Sequence, residues 1–312
     1  MKLEQGAVGR TQVGTVAAWL AAVRPPSLLV AISPVLVGAA LGWQRTGQID
    51  WQVALIVLAA ALLVQVVTNL QNDVGYTVRG AESSGTRTGL PRATALGWLR
   101  VNTVRLAIVL VAIVATALGV WLVTLRGWPV LAIGVSSLVA ALAYMGGPRP
   151  IAYSPFGELT VFVFFGLVAV MGTDWVLTGD IGTATAVASV AIGGLAAAAL
   201  AVNNQRDVAH DALVGRRTFA VVFGHAGGQR LYAVLLLAPF ALLPPIALLA
   251  ESAWLLLPAL LLPAAWALRR DFLGCPPGMA FNQVLFRTFK IELVYAVLMA
   301  SGAVLDRLWG AA

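Results

Sequence analysis

Charge and cysteine are what this sequence has least of. Only 11% of its 312 residues are Asp, Glu, Lys or Arg, and 60% are hydrophobic; soluble domains carry about 25% charged residues. The single cysteine, Cys275, excludes an intramolecular disulfide framework and a cysteine-only metal cluster. No soluble domain, long linker, low-complexity tail or cleavable signal peptide is expected. The composition predicts an all-α polytopic membrane protein, with residues 1–312 forming one transmembrane domain.

Apolar runs divide the chain into spans. When they are compared with the roughly 20 residues that a helix needs to cross a bilayer, nine runs qualify. They cover residues 27–43, 51–74, 100–125, 128–145, 156–178, 182–204, 229–250, 252–269 and 286–309. The run near the N-terminus is short, and Trp19 to Val23 could extend it as an interfacial turn.

Basic residues are distributed unequally between the two sides that nine spans define. Of the 20 Lys and Arg residues, only Arg45, Arg126 and Arg307 fall on the side of the C-terminus, which leaves 20 − 3 = 17 on the other. The positive-inside rule makes the richer side cytoplasmic. The net charge of +7 therefore reflects topology, and no nucleic-acid partner is expected. We expect a multi-pass protein of the cell inner membrane, in contact with the lipid bilayer.

Two polar stretches each begin where an apolar run ends. They are residues 69–92, NLQNDVGYTVRGAESSGTRTGLPR, and residues 203–217, NNQRDVAHDALVGRR. Polar groups so close to a membrane span cost energy unless they are partnered or functional. Both stretches lie on the predicted cytoplasmic side, so we interpret them as two halves of one site.

Asn and Asp recur at helical spacing in both stretches. Residues four apart on a helix share a face, as do Asn203, Asp207 and Asp211, and also Asn69 and Asp73, with Asn72 beside them. Facing carboxylates can hold Mg²⁺, which usually binds one or two carboxylates together with substrate phosphates. Guanidinium groups suit phosphate oxygens, and both stretches are rich in arginine: Arg79, Arg87, Arg92, Arg206, Arg216 and Arg217. The pattern predicts a diphosphate held by magnesium and arginine, with a lipid tail among the helices.

Two other interpretations remain open. A single Asp or Arg near the end of a span is often an interfacial, ion-paired residue, although the paired pattern argues against this for the set. A secondary transporter also uses intramembrane acids, but it places them near the bilayer midplane at broken helices. Here they lie at helix ends beside arginines, which favours phosphate chemistry.

Five segments carry a family resemblance. They are AWLAAVRPPSLLVAISPVLVG, NLQNDVGYTVRG, GGPRPIAYSPFGELTVFVFFGLVAVMGT, NNQRDVAHDALVGRRTFAVVFG and FNQVLFRTFKIELVYAVL. Together they resemble the UbiA-type intramembrane aromatic prenyltransferases over nearly the whole chain. Within that family they are most similar to the enzymes that prenylate 1,4-dihydroxy-2-naphthoate in menaquinone synthesis.

The resemblance implies a nine-helix bundle with a central cavity, Mg²⁺, a polyprenyl diphosphate donor and an aromatic acceptor. By position it implies catalytic, metal-holding roles for Asp73, Asp207 and Asp211. It implies substrate-binding roles for Asn69, Asn72, Arg87, Arg92, Arg149 and Asn203. Arg79, Glu82 and Arg217, which lie in the polar stretches, and Tyr153, at the expected acceptor entrance, complete the expected substrate-binding residues. The active site would face the cytoplasm. Other acceptors used in the family, such as 4-hydroxybenzoate, homogentisate, haem or a lipid, remain alternatives.

One position departs from the resemblance. Tyr76 stands where the related enzymes usually have a second aspartate, three residues after Asp73. A phenol is a poor magnesium ligand at neutral pH, because its pKa is about 10. We expect Glu82 to supply the missing metal-binding carboxylate; the alternative is a more weakly bound metal. Glu158, which opens a span, is either a site residue or a helix N-terminal charge.

Overall fold

Helices account for the regular secondary structure of the part of the chain that can be described. A computed structural model describes residues 14–82, 88–276 and 278–309, with no strand among them. Nine helical segments in these residues are long and apolar enough to cross a membrane: Thr15–Thr46, Trp51–Val78, Val101–Arg126, Trp128–Met145, Gly157–Thr178, Thr183–Arg206, Phe219–Leu249, Ala253–Gly274 and Phe281–Trp309. The prediction of nine spans in an all-α bundle is confirmed.

Several spans are built from more than one helix. In chain order the α-helices are α1 (Thr15–Val23), α2 (Leu29–Thr46), α3 (Trp51–Val78), α4 (Val101–Arg126), α5 (Trp128–Met145), α6 (Gly157–Val161), α7 (Ala169–Thr178), α8 (Thr183–Arg206), α9 (Val208–Leu213), α10 (Phe219–Ala241), α11 (Leu243–Leu249), α12 (Leu262–Gly274) and α13 (Phe281–Trp309). A π-helical turn, Phe162–Val168, joins α6 to α7. Short 3₁₀ segments cover Pro25–Leu28, Ile151–Tyr153 and Ala253–Leu261.

Three predicted spans begin too late. Residues 15–23 form the separate helix α1, not only a turn. Helix α10 starts at Phe219 instead of residue 229, because the chain bends at Gly224, where φ is +70°, and then continues helical. Helix α13 starts five residues before the predicted 286. The added turns of α10 are interrupted by Gly224 and His225, and those of α13 contain Asn282 and Gln283. Helix α1 is apolar but is separated from the next apolar run by Arg24 and two prolines.

Helix α8 lies at the centre of the bundle. In its most apolar stretch 78% of the residues are buried, against 17% in α4 and in α5. It packs against α2, α10, α13 and the π-helical turn. At that turn a Cβ added to Gly166 would lie 2.6 Å from the Cα of Gly193 on α8. Small residues at such contacts let helix backbones approach closely in lipid.

We call the end of the bundle where α3 and α8 finish the polar end. The described connecting residues 79–82, 88–100, 146–156 and 207–218 lie there, between one span and the next. The connections at the opposite end are short. The polar end therefore brings the two predicted polar stretches to one place.

Candidate active site

A central cavity of about 590 Å³ extends from the polar end into the bundle. Its wall on α3 includes Asn72 near the polar end and Val57 far from it; 15 residues at about 1.5 Å rise each separate them by about 22 Å. Charged and amide side chains line the half of the cavity nearer the polar end, with Gln65 the deepest of them: Arg24, Gln65, Asn69, Asn72, Asn203 and Arg206. Most of the remaining wall is apolar. The cavity fits a molecule with a charged head and a long apolar tail.

Arg24 lies on the cavity wall in a conformation that is unusual for a residue with a side chain. Its φ is +56°, and such left-handed backbone costs of order 1–3 kcal/mol unless the surroundings hold it. Asn69 holds both sides of this turn, because its amide donates to the carbonyl oxygen of Val23 at 2.7 Å and to Ser27 Oγ at 2.8 Å. The sequence reasoning did not place Arg24 in the site. The sequence does carry a signal for this residue, because an arginine directly precedes Pro25 where a membrane span begins.

Asp73 fixes the loop that contains Ala93 and Thr94 against the end of α3. Its fully buried carboxylate accepts hydrogen bonds from the backbone N–H of Ala93 at 2.9 Å, from that of Thr94 at 2.8 Å and from Thr94 Oγ1 at 2.5 Å. A carboxylate has about four lone-pair sites, so these bonds occupy most of its capacity. The sequence reasoning missed this structural role. A metal-binding role for Asp73 remains a prediction.

The ring of Tyr76 packs against the guanidinium group of Arg92. Arg92 Cζ is 3.5 Å from the centroid of the Tyr76 ring. Arg92 Nε also donates to Glu82 Oε1 at 2.7 Å, and Nη1 donates to the Asn72 carbonyl oxygen at 3.1 Å. Tyr76 packs with Met145 among other buried residues. Glu82 therefore has an arginine partner, and its predicted magnesium role is untested.

The second stretch is also ion-paired. Arg206 donates two hydrogen bonds to Asp207, from Nε to Oδ1 at 2.9 Å and from Nη2 to Oδ2 at 2.7 Å. Arg216 Nη1 donates to Asp211 Oδ1 at 2.6 Å, and its guanidinium lies 5.0 Å from the Tyr76 ring centroid. Fork-shaped arginine contacts of this kind are geometrically specific. Each acid of this stretch is therefore held beside a cation.

Asn203, Asp207 and Asp211, which were predicted to share one helix face, do not lie on one continuous helix. Helix α8 ends at Arg206 and α9 starts at Val208, so Asp207 lies at the break. The four-residue spacing survives in the backbone, because Asp207 N–H donates to the Asn203 carbonyl at 3.1 Å and Asp211 N–H to the Asp207 carbonyl at 2.7 Å. Asn203 lines the cavity. The three residues are therefore brought to one end of the bundle, as predicted.

The other predicted substrate contacts lie around the rim. Arg79 is exposed, donates to the Gly147 carbonyl and lies 5.4 Å from the centroid of the Tyr153 ring. Arg217 is exposed and its N–H donates to the Tyr153 carbonyl at 3.2 Å. Arg149 is exposed. Arg87 lies outside the described residues.

Tyr153 holds a neutral phenol at this rim. Burial raises its pKa and the charge of Arg216 lowers it in part, for a net increase above the usual value. The phenol is therefore protonated at neutral pH and can donate a hydrogen bond to an anionic or carbonyl oxygen.

The site can hold Mg²⁺ only if oxygen atoms of a substrate phosphate complete the coordination shell of the metal. Within residues 14–82, 88–276 and 278–309, no three His, Cys, Asp or Glu residues are grouped so that they could cage a metal ion. Asn72 Oδ1, however, is buried on the cavity side without a hydrogen-bond partner in this part of the chain. Mg²⁺ keeps waters and completes its shell with substrate phosphates. Asn72, Asn203 and the nearby aspartates provide oxygen donors of the required kind.

Glu158 and Tyr144 add polar groups that the sequence reasoning left open or missed. Glu158 is buried, and its Oε1 accepts a hydrogen bond from Asn204 Nδ2 at 2.8 Å. Tyr144 lines the cavity, and its hydroxyl is 3.5 Å from where a Cβ on Gly157 would lie. A tyrosine at the end of an apolar run gives no sequence signal of a site. Glu158 is accordingly more than a solvated helix-terminal charge.

Known proteins are similar to this chain in sequence. A sequence model of the UbiA prenyltransferase family matches residues 31–274. A 1,4-dihydroxy-2-naphthoate octaprenyltransferase of Escherichia coli is 31% identical over 311 residues, covering 96% of this chain and 99% of that protein. The protein of the same name from Mycobacterium leprae is 29% identical, covering 93% of this chain and 97% of the relative.

Solved structures share the fold at low sequence identity. The apo structure of a UbiA homolog from Aeropyrum pernix superposes with a TM-score of 0.67 at 16% identity, covering 90% of this chain and 98% of the other. A UbiA homolog from Archaeoglobus fulgidus bound to DMAPP and Mg²⁺ superposes with a TM-score of 0.65 at 16% identity, covering 92% and 99%. At this identity the likeness supports the arrangement of the helices.

Proposed function

Because the chain belongs to the UbiA prenyltransferase family, we propose that it transfers a polyprenyl group from its diphosphate to 1,4-dihydroxy-2-naphthoate. The reaction would require Mg²⁺ and give a demethylmenaquinone-type product. The observation that carries this proposal is the cavity, with charged and amide groups at one end and a long apolar wall. The names of the E. coli and M. leprae relatives support the choice of acceptor.

Arginines at the polar end would receive the diphosphate. Arg24 and Arg206 line the cavity there, and guanidinium groups bind phosphate oxygens through charge-assisted hydrogen bonds. Such donors stabilise negative charge as it develops on the leaving group. When bound, Mg²⁺ supplies further charge neutralisation. Asp73, Asp207, Asp211 and the amide oxygens of Asn72 and Asn203 would hold it, with Glu82 as a further carboxylate.

The apolar wall would protect the reactive carbon. As the bond from the allylic carbon to the diphosphate oxygen breaks, the electron pair leaves with the diphosphate. The electron-rich acceptor ring then supplies the pair for the new carbon–carbon bond. The ring regains aromaticity as the carboxylate departs as carbon dioxide. An apolar cavity excludes the water that would otherwise capture the allylic cation.

The direct test is a transfer assay in membranes containing the protein. From a polyprenyl diphosphate and 1,4-dihydroxy-2-naphthoate with Mg²⁺, we expect a prenylated naphthoquinol, or the quinone that its later two-electron oxidation gives, detected by mass spectrometry. Product formed only with another aromatic acceptor would overturn the proposed acceptor. Undiminished product in excess EDTA would overturn metal dependence. Quinone profiles of cells with and without the protein provide the check in vivo.

Removing single carboxylates should weaken the reaction more than the fold. We expect Asp207→Ala and Asp211→Ala each to cost at least about 2 kcal/mol of transition-state stabilisation, as lost electrostatic stabilisers do. Asp73→Ala should lower kcat/KM similarly, and it should also lower the thermal unfolding midpoint, since it frees the loop at Ala93 and Thr94. Wild-type kcat/KM in all three folded variants would contradict the predicted roles.

A further inference from the structure

Three hydrogen bonds fix the guanidinium group of Arg206 at the polar end of the cavity. Two of them go to Asp207, and the third goes from Arg206 Nη1 to Asn282 Oδ1 at 2.7 Å. Arg206 is buried and lines the cavity, so protein partners and not solvent set its orientation. The third partner comes from a different helix, because Asn282 lies in the first turn of α13.

The remaining hydrogen-bond donors of Arg206 match a phosphate group. An arginine has five N–H donors, one on Nε and two on each terminal nitrogen. Within the described part of the chain, the three bonds use one donor of each nitrogen, which leaves one N–H on Nη1 and one on Nη2. Donors on the two terminal nitrogens can bind two oxygens of one phosphate. A guanidinium that is already held by its other donors loses less conformational freedom when it binds such a group.

The amide nitrogen of Asn282 contacts the loop at the same end of the cavity. Asn282 Nδ2 donates to the carbonyl oxygen of Thr88 at 3.4 Å, and Leu90 and Pro91 of that loop line the cavity. Thr88 belongs to the polar stretch 69–92, whereas Arg206 belongs to the polar stretch 203–217. One amide group of α13 therefore joins the two halves of the site.

We propose that Asn282 is a positioning residue for prenyl transfer, which orients the guanidinium of Arg206 so that its two remaining donors meet the diphosphate. The inference rests on the proposed function and adds to it a residue that belongs to neither polar stretch. Asn282 lies outside the cavity wall, so it acts through Arg206 and not on the substrate. A donor that is held in place before the reaction stabilises the charge of the leaving group without having to reorganise.

Binding of inorganic diphosphate tests this role independently of the transfer reaction. In the full-length protein in detergent with excess Mg²⁺, we expect Asn282→Leu to raise the Kd for inorganic diphosphate about ten-fold, as loss of a hydrogen bond to a charged group can do. Titration calorimetry measures it. Arg206→Gln should raise the Kd at least as much, and adding Asn282→Leu to Arg206→Gln should raise it no further, since residues that act through one contact are not additive. The matched control is Gln283→Leu, which removes an exposed amide from the next position of α13 and should leave the Kd unchanged.

Increases in Kd that multiply in the double variant would overturn the positioning role, because Asn282 would then act independently of Arg206. A Kd of wild-type size in Asn282→Leu, or no binding of inorganic diphosphate by the wild type, would overturn it as well. If the thermal unfolding midpoint shows that Asn282→Leu is not folded, Asn282→Ala removes the same amide without added bulk and takes its place.

The transfer assay separates this role from the proposed function. We expect Asn282→Leu to lower kcat/KM for the polyprenyl diphosphate about ten-fold and to leave the KM for the aromatic acceptor unchanged, because only the diphosphate contact is disturbed. An equal rise in the KM for the acceptor would contradict a role confined to Arg206. Absence of transfer by the wild type, with the non-additive binding of inorganic diphosphate intact, would overturn the proposed function and retain the orientation of Arg206 by Asn282.

Discussion

At the scale of the residue, Tyr76 organises the arginine charge at the polar end. Its ring supports Arg92, whose guanidinium is also paired with Glu82. A guanidinium over an aromatic face contributes about 0.5–2 kcal/mol. Arginine charge is thereby fixed near the position where the related motif would carry an acid.

The contribution of Glu82 can be measured through the metal requirement. We expect Glu82→Gln to raise the Mg²⁺ concentration needed for half-maximal activity, because magnesium affinity depends on anionic oxygen. Tyr76→Asp should partly restore that concentration in the double variant. A magnesium titration of both single variants and the double variant checks this. If the magnesium titration curve of Glu82→Gln does not shift, Glu82 only pairs with Arg92 and does not contribute to metal binding.

Two buried glutamates should respond in opposite ways to loss of their carboxyl groups. Glu292 on α13 is fully buried, and neither carboxyl oxygen has a hydrogen-bond partner in the described part of the chain. An unsatisfied buried polar group costs about 1–3 kcal/mol, so Glu292→Met should raise the thermal unfolding midpoint in detergent. Glu158→Met should lower it, because Asn204 then loses its acceptor. A lower midpoint for Glu292→Met would show that the carboxyl is partnered in solution.

At the scale of the element, the close approach of the backbones at Gly166 and Gly193 fixes how the π-helical turn packs against α8. A Cβ on Gly193 would lie 2.6 Å from the Phe162 carbonyl oxygen, and one on Gly166 would lie 2.5 Å from the Ser189 carbonyl oxygen. Overpacking of this kind costs typically about 1–3 kcal/mol. We expect Gly166→Ala and Gly193→Ala to lower the thermal unfolding midpoint. The control Gly134→Ala, with open space around it, should not; a loss equal in all three would contradict the packing argument.

Helix positions followed from the sequence wherever apolar runs were continuous. Span α5 was predicted at 128–145 and found at Trp128–Met145. The π-helical turn could not be predicted, since no single residue type specifies it and it depends on packing against α8. The bend at Gly224 was missed because His225, Gln229 and Arg230 interrupt the hydrophobic pattern there. Hydropathy identifies a span, whereas tertiary contacts decide where its helix begins.

At the scale of the whole molecule, the basic residues predict orientation. Seventeen of 20 Lys and Arg residues belong to the side of the polar end, which should therefore be cytoplasmic. With nine spans the N-terminus should be cytoplasmic and the C-terminus on the outer side. Reporter fusions at each terminus measure this directly. Reporters on the same side of the membrane would contradict the nine-span topology.

That the two polar stretches meet at one end of the bundle could be predicted, but the pairing of their side chains could not. The sequence identified both polar stretches, and the structure brings them to one end of the bundle. It gave no indication that Asp73 would hold the backbone of Ala93 and Thr94 or that Arg24 would line the cavity. Those contacts depend on how loop residues fold back over helix ends, which no helical periodicity encodes.

The long apolar wall of the cavity has a kinetic consequence for the proposed polyprenyl donor, whose apolar tail partitions into the bilayer. A site that exchanges its lipid-like substrate within the plane of the membrane responds to the amount of that substrate per lipid molecule, not per volume of water. Adding inert phospholipid at a fixed total quantity of donor therefore dilutes the substrate in two dimensions and slows turnover. For such a protein, an apparent KM is meaningful as a mole fraction in the bilayer.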